Sequence, residues 1–332
     1  KSIKMVDLFY KKLFSNLRTK SIFYKNNEEI FYYSDLEKYF YKFIRVTKFL
    51  KNKRNKICIL SDKCFELYAT SLSTLLSNNI WIPISTNYPE KRLFDIVNNV
   101  KPDLFIINQS YLNNNLNIIR FLKLKKISLL SFDQINQSKM IIKLPKFKYK
   151  KKDVAMIFFT SGSTGQPKGV QITNGGYIHS LKEQVNKIFY KQNNLIFGDY
   201  HDISFVISLN ILLPCFYLKG TIVPGIKLKD ILLPIEHISK NKINTLITVP
   251  TTINRIRNYY KKIKKKVNLR NLILCGEPFY FDLYHYLLKQ NFSKNIYNCY
   301  GSTELSPWVF SHKLNPKDIN KFKSYDVVPI GK

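Results

Sequence analysis

Residues 158–173 read "FFTSGSTGQPKGVQIT". An apolar start gives way to small, hydroxylated and glycine positions, with one lysine near the end. Such side chains bury almost no apolar area, so the stretch has no use in a core. Glycines at 162, 165 and 169 open backbone conformations closed to other residues and let main-chain N–H groups approach an anion closely. Thr160, Ser161, Ser163 and Thr164 add hydroxyls, and Lys168 adds a positive charge on a long stem. This is chemistry suited to gripping phosphates. It is not a Walker A loop, because Pro167 and Gly169 flank the lysine where that motif needs Gly-Lys-Ser/Thr. A Ser/Gly-rich surface loop is the plain alternative, and the defined order of small residues directly after an apolar strand argues against it.

Outward from this stretch, short apolar runs alternate with helix-length segments. "KICIL" (56–60), "DLFII" (103–107), "VAMIFFT" (154–160), "TLITV" (245–249), "NLILCG" (271–276) and "NIYNCYG" (295–301) read as strands. Segments near 64–77, 88–99, 174–190, 251–263 and 281–290 read as helices. In "YPEKRLFDIVNNV", Pro89 and Glu90 mark the first turn, and Leu93, Ile96 and Val97 share one face. This alternation predicts an α/β fold with mostly parallel sheets. The Lys-rich run at 143–153, with Pro145, marks the expected boundary between two similar layered subdomains. The chain stops in the apolar "VVPIGK", which suggests a fragment.

With 45% apolar residues, a large core needs no disulfides or metals. The five cysteines (58, 64, 215, 275, 299) form no CxxC pair and sit mostly in apolar runs, as buried free thiols of a reducing compartment do. The five histidines are scattered, which argues against a zinc site. Lys and Arg number 54 against 22 Asp and Glu, a net charge of +32. Only eight of the 54 are Arg, the residue that phosphate-binding surfaces favour. Asn, Ile, Tyr and Phe, all with A/T-rich codons, are abundant too. Compositional drift therefore explains the charge better than a nucleic-acid partner. The runs "KFKYKKK" (146–152) and "KKIKKK" (261–266) are expected to be solvated linkers or helix faces. The N-terminus shows no signal-peptide pattern. "ISFVISLNILLPCFYL" (203–218) holds 16 uncharged residues, short of a membrane span, and reads as a buried helix kinked at Pro214. The expectation is a cytoplasmic protein with no membrane partner.

"TSGSTGQPKGV" (160–170) resembles the phosphate-loop signature of the adenylate-forming superfamily: acyl-CoA synthetases, luciferases and amino-acid adenylation domains. Four further segments agree in sequence order. "YYSDL" (32–36) is similar to the early Tyr-x-x-Leu motif. "NNIWIPISTNYPEKRL" (78–93) is similar to "AGxAYVPIDPxYPxERL". "GEP" (276–278) is similar to the "GGE" turn, and "NCYGSTE" (298–304) to "NxYGPTE". The resemblance covers nearly the whole chain and is greatest to the N-terminal core of an adenylation domain of nonribosomal peptide synthetase type. It implies a layered αβαβα core over 1–332, the large domain, truncated before the small C-terminal domain and its catalytic lysine.

The resemblance implies ATP-dependent activation of a carboxylate to an acyl adenylate, with release of pyrophosphate, then transfer to a thiol. Residues 160–169 would hold the β- and γ-phosphates, namely Thr160, Ser161, Gly162, Ser163, Thr164, Gly165, Lys168 and Gly169, with Lys168 supplying charge. Gly276, Glu277, Pro278, Asn298, Tyr300, Gly301 and Ser302 would border adenine and AMP, with Tyr300 stacking on the base. Thr303 would bond the α-phosphate, and Glu304 would hold Mg²⁺, a hard cation that takes carboxylate and phosphate oxygens.

"HDIS" (201–204) resembles the "FDxS" motif, whose aspartate meets a substrate α-ammonium; that implies an α-amino acid for Asp202. Its alternative is an N-cap on the helix expected at 203–218. His201, Ile203, Val206, Thr252, Ile273, Cys275, Cys299, Pro307 and Trp308 would complete a largely apolar pocket for an uncharged side chain. The acceptor would be a carrier-protein phosphopantetheine. His201 in place of Phe and Ser302 in place of Pro pull toward the other reading, a carboxylic acid:CoA ligase. A non-catalytic homologue that binds nucleic acid through its basic surface is the reading from another class.

Overall fold

Continuous apolar runs rich in β-branched residues, bounded by polar turns, form strands buried on both faces; sheets of this kind are parallel and covered by helices. The computed structural model describes residues 2–50, 54–161, 166–260, 267–305, 308–318 and 326–331. In chain order the strands are β1 (Ile22–Lys25), β2 (Ile30–Tyr32), β3 (Lys56–Leu60), β4 (Ile80–Ile84), β5 (Leu104–Ile107), β6 (Ser128–Ser131), β7 (Val154–Ser161), β8 (Pro167–Thr173), β9 (Ile196–Asp199), β10 (Thr221–Pro224), β11 (Thr245–Thr248), β12 (Leu269–Leu274), β13 (Ser293–Tyr300) and β14 (Phe310–Lys313). The helices are α1 (Ser2–Leu17), α2 (Tyr33–Val46), α3 (Phe65–Leu76), α4 (Glu90–Val100), α5 (Gln109–Asn114), α6 (Leu116–Leu124), α7 (Phe132–Gln137), α8 (Asn174–Lys187), α9 (Ile207–Tyr217), α10 (Leu228–Leu232), α11 (Ile235–Asn241), α12 (Pro250–Tyr260) and α13 (Phe281–Lys289). All six strands and all five helices expected from sequence are present. The continuation of α12 into "KKIKKK" (261–266) lies outside the described residues.

Contacts divide the chain into two units. The first is Lys1–Lys20, Phe31–Ile178 and Asp202–Phe205; the second is Ser21–Ile30, His179–His201 and Val206–Lys332. The division falls after Ile178, and the Lys-rich run 143–153 lies inside the first unit.

In the first unit a six-stranded sheet runs β6-β5-β3-β4-β7-β8. All its pairs are parallel except the β7–β8 hairpin. Ile57, Cys58, Ile59 and Leu60 of β3 are fully buried. On one face Cys58, Leu60, Ile82, Ile84, Phe105 and Ile107 form a core with Leu93, Ile96, Val97 and Val100 of α4. Those four sit at i, i+3, i+4 and i+7, the spacing of one helix face. The run 146–152 is not a plain solvated linker. Its lysines are exposed, but Tyr149 is buried, stacks on Tyr10 at 3.5 Å and donates to Leu76 O at 2.5 Å. The alternating aromatics anchor what the charges would solvate.

In the second unit an eight-stranded sheet runs β14-β13-β12-β11-β9-β10-β1-β2. The pairs from β1 through β13 are parallel, and β14 returns antiparallel to β13. Leu246, Leu272, Leu274 and Ile296 share a core with Ile253, Ile256, Leu283 and Leu287 of α12 and α13. Helix α9 is buried as expected and carries Pro214 inside it, but it starts at Ile207 rather than 203. The physical reason is local: Ser204 N–H bonds Asp202 Oδ1 at 2.9 Å and Phe205 N–H bonds Asp202 O at 3.1 Å, closing a turn before the helix. Among the described residues no helix is long and apolar enough to cross a membrane.

Candidate active site

The described ends of the stretch expected as a loop over 160–169 pair as strands. Thr160 pairs with Lys168 and Ser161 with Pro167 in the β7–β8 ladder. Pro167 is tolerated because β8 is an edge strand of its sheet. Gly169 sits opposite Phe159, and a Cβ there would lie 3.1 Å from both Ile157 Cγ2 and Phe159 Cζ. The missing side chain is thus used by packing within the strand pair. Lys168 is exposed and Thr160 half-buried. Gly162, Ser163, Thr164 and Gly165 lie outside the described residues.

Asp202 does not cap α9; the residue before that helix is Val206. Its half-buried carboxylate is held within the first unit instead. Oδ1 accepts from Ser204 N–H at 2.9 Å and Ser204 Oγ at 2.7 Å. Oδ2 accepts from Ser85 Oγ at 2.5 Å and stands 3.4 Å from Asn87 Nδ2. Tyr88 OH donates to Ser204 Oγ at 3.0 Å. Ile203 beside it is buried. Sequence reasoning took "PISTNYP" only as a family segment and missed Ser85, Asn87 and Tyr88 as partners. The available signal was the same one that marked 158–173: hydroxyls and an amide directly after a buried apolar strand.

The second unit assembles most of the remaining candidates at the carboxyl ends of three adjacent parallel strands, where open α/β sheets bind ligands. Thr248, Leu274 and Asn298 are in register at the ends of β11, β12 and β13. Ile273 and Cys275, two apart, share a face. Ile273 pairs with Tyr297, which puts Cys299 on that face too. All three are buried. Thr252 lies in the first turn of α12, and its N–H bonds Val249 O at 3.1 Å. Gly276 follows β12 with φ +84°, a left-handed conformation that suits glycine. Next to it, Glu277 accepts from Thr251 N–H at 2.9 Å and from Thr251 Oγ, so its carboxylate caps the positive end of α12.

Beyond β13, Tyr300 is 50% exposed, so its ring is not a core element. Gly301 and Ser302 lead into a 3₁₀ turn, Thr303–Leu305, on which Glu304 is exposed. Asn298 serves the fold directly. Buried, it donates to Val328 O at 2.8 Å and pins that segment to β13. His201 Nε2 lies 3.2 Å from Thr248 Oγ1, at the end of β11. Pro278 follows the Gly276 turn, and Pro307 lies outside the described residues.

Burial pushes the Cys275 thiol up to about 12, against a hydrogen bond with Trp308, and raises Cys299 well above its ordinary value. Both stay protonated at neutral pH and offer no thiolate nucleophile.

The model of the family described as AMP-binding enzyme matches residues 43–330. The chain belongs to that family. Among its relatives is the D-alanine–D-alanyl carrier protein ligase of Lactococcus lactis, 29% identical, the alignment covering 84% of this chain and 56% of the ligase. Bacitracin synthase 1 of Bacillus licheniformis is 26% identical over 82% of this chain and 5% of that much longer protein. The chain thus spans about half the length of the ligase. An adenylation domain from Vibrio cholerae, solved with glycyl-adenosine-5'-phosphate, superposes with a TM-score of 0.82 at 16% identity, covering 100% of this chain and 64% of that one. That likeness shows the fold: mixed α/β with two mostly parallel sheets.

Proposed function

We propose that this chain is the nucleotide- and acid-binding part of an enzyme that activates an α-amino acid with an uncharged side chain. The substrate carboxylate attacks the α-phosphorus of ATP. An acyl adenylate forms and the bond to pyrophosphate breaks. A thiol then attacks the acyl carbon and AMP leaves. The acceptor is the phosphopantetheine of a carrier protein; a carrier protein is named in the ligase relative. Catalysis of this kind is positioning plus neutralisation of phosphate charge.

The residues fit the nucleotide. Thr160 would supply a hydroxyl and Lys168 a cation for the outer phosphates. The exposed Tyr300 ring offers a stacking face for adenine, beside the Gly276–Pro278 turn. Thr303 bonds the α-phosphate. Glu304 holds Mg²⁺, which supplies charge neutralisation on the phosphates when bound. Ile273, Cys275 and Cys299, buried on one face of the sheet, would form with Trp308 an apolar wall for the side chain, with Thr252 at its edge.

The observation that carries the amino-acid choice is the Asp202 carboxylate, half-buried and outside any helix cap. The donors that meet it, Ser85, Ser204 and Asn87, are all neutral, so an ammonium would add the opposite charge. The experiment is ATP–pyrophosphate exchange across amino acids, fatty acids and aryl acids. Amino-acid-dependent exchange that Asp202→Ala abolishes is expected. Exchange with fatty or aryl acids alone would replace this reading with the carboxylic acid:CoA ligase.

A further inference from the structure

An ionised carboxylate offers about four lone-pair directions, and at Asp202 all of them are met within the first unit. Two go to Ser204, one to Ser85 and one, loosely, to Asn87. We infer that Ser85 is a positioning residue that aims the Asp202 carboxylate at the substrate ammonium, and that the Asn87 amide keeps the place that ammonium takes. The inference rests on the amino-acid reading above.

The two donors on Oδ2 differ in kind. Ser85 is 4% exposed and its bond is 2.5 Å. Asn87 is exposed and its amide stands at 3.4 Å, beyond the range of a good hydrogen bond. A charged N–H donor makes a bond roughly twice as strong as a neutral one, so an ammonium displaces the loose amide and leaves the tight hydroxyl. The direction of that hydroxyl is fixed as well. Ser85 Oγ accepts from Asn87 N–H at 3.1 Å, so its own proton points to Asp202. Oδ1 is held the same way: Ser204 Oγ donates to it while accepting from Tyr88 OH, whose ring lies under Arg92 at 4.6 Å. Segment 85–88 thus orients both oxygens. Where the similar family segment reads "PIDP", this chain has Ser85, and an ionised aspartate there could not donate at all.

The test is calorimetric binding to the chain of glycyl and D- and L-alanyl sulfamoyladenosine, each against its amine-free partner, acetyl or propionyl. The expected result is tighter binding of an amine-bearing ligand, a preference that Ser85→Ala cuts about fivefold while amine-free binding holds. Ser85→Thr, which keeps a hydroxyl donor, should keep the preference. A preference unchanged in Ser85→Ala, or an equal loss for both ligands, overturns the inference and leaves the amino-acid reading standing. No preference in the unaltered chain overturns the amino-acid reading as well, and binding of neither ligand overturns the nucleotide reading too. Should Ser85→Ala fail to fold, Asn87→Ala on the surface decides: tighter amine binding supports the displacement, and a fivefold loss refutes it.

Discussion

The turn at Asp202 and the row of strand ends at Leu274 and Asn298 hold candidate residues by different forces. At the turn, donors from Ser85 and Ser204 fix a carboxylate that packing alone would leave free to rotate. At the strand ends, Ile273, Cys275 and Cys299 are placed chiefly by parallel register and burial. Directed bonds set where a charge points; packing sets the shape of a wall. The two should therefore fail differently. A change at the turn should cost recognition more than stability, and a change in the wall the reverse.

The largest effect is expected in the wall. Ile273 is fully buried between Ile247 and Tyr297 in the ladder. Ile273→Ala removes buried carbon and leaves a cavity, at a cost of about 2–5 kcal/mol, read as a fall in the urea midpoint with an unchanged slope. Asp202→Asn keeps one acceptor oxygen and should cost only about 1 kcal/mol. If Asp202→Asn destabilises more than Ile273→Ala, the contrast between the two regions is wrong.

A middle case lies inside the second unit, where a carboxylate serves packing elements. Glu277 caps α12 through Thr251 and so ties the Gly276 turn to that helix. Glu277→Gln keeps the shape and loses the charge at the helix end. A loss of about 0.5–1 kcal/mol in unfolding free energy is expected. A weakened ATP affinity larger than that loss would mean the carboxylate acts on the nucleotide as well as on the helix.

Much of this was legible in the sequence, for physical reasons that differ by element. Buried parallel strands such as "KICIL" declare themselves because both faces are apolar. Helix α4 shows its i, i+3, i+4 stripe between Pro89 and the left-handed Lys101. The start of α9 was misplaced because the uncharged run 203–218 hides a turn whose bonds come from Asp202 and Ser204 side chains. Thr160 closes the strand expected at 154–160, but the phosphate-loop reading did not foresee that Lys168 pairs with it as a strand residue. Ladder pairing depends on two segments meeting, which no single window displays. The Ser85–Asp202 bond joins residues 117 positions apart and had no local signal beyond a polar run after a strand.

The smallest effect should come from a directed bond at the surface. Arg257 Nη1 lies 2.7 Å from Asp282 Oδ2 and links α12 to α13, with the aspartate side chain 65% exposed. The Arg257 hydrogen bond is the main cause that holds the Asp282 carboxyl below its ordinary value of 3.8. A carboxyl lowered in the folded state stabilises fully above the unfolded value and loses that contribution as pH falls through the folded one. Solvent screening limits the pair to about 0.2–1 kcal/mol. Asp282→Asn should therefore lower the urea midpoint slightly at pH 7, and the difference should shrink as pH falls below about 4 and as salt is added. A difference that persists at low pH would mean that the side chain acts by packing on α13, which would move this residue to the other side of the contrast.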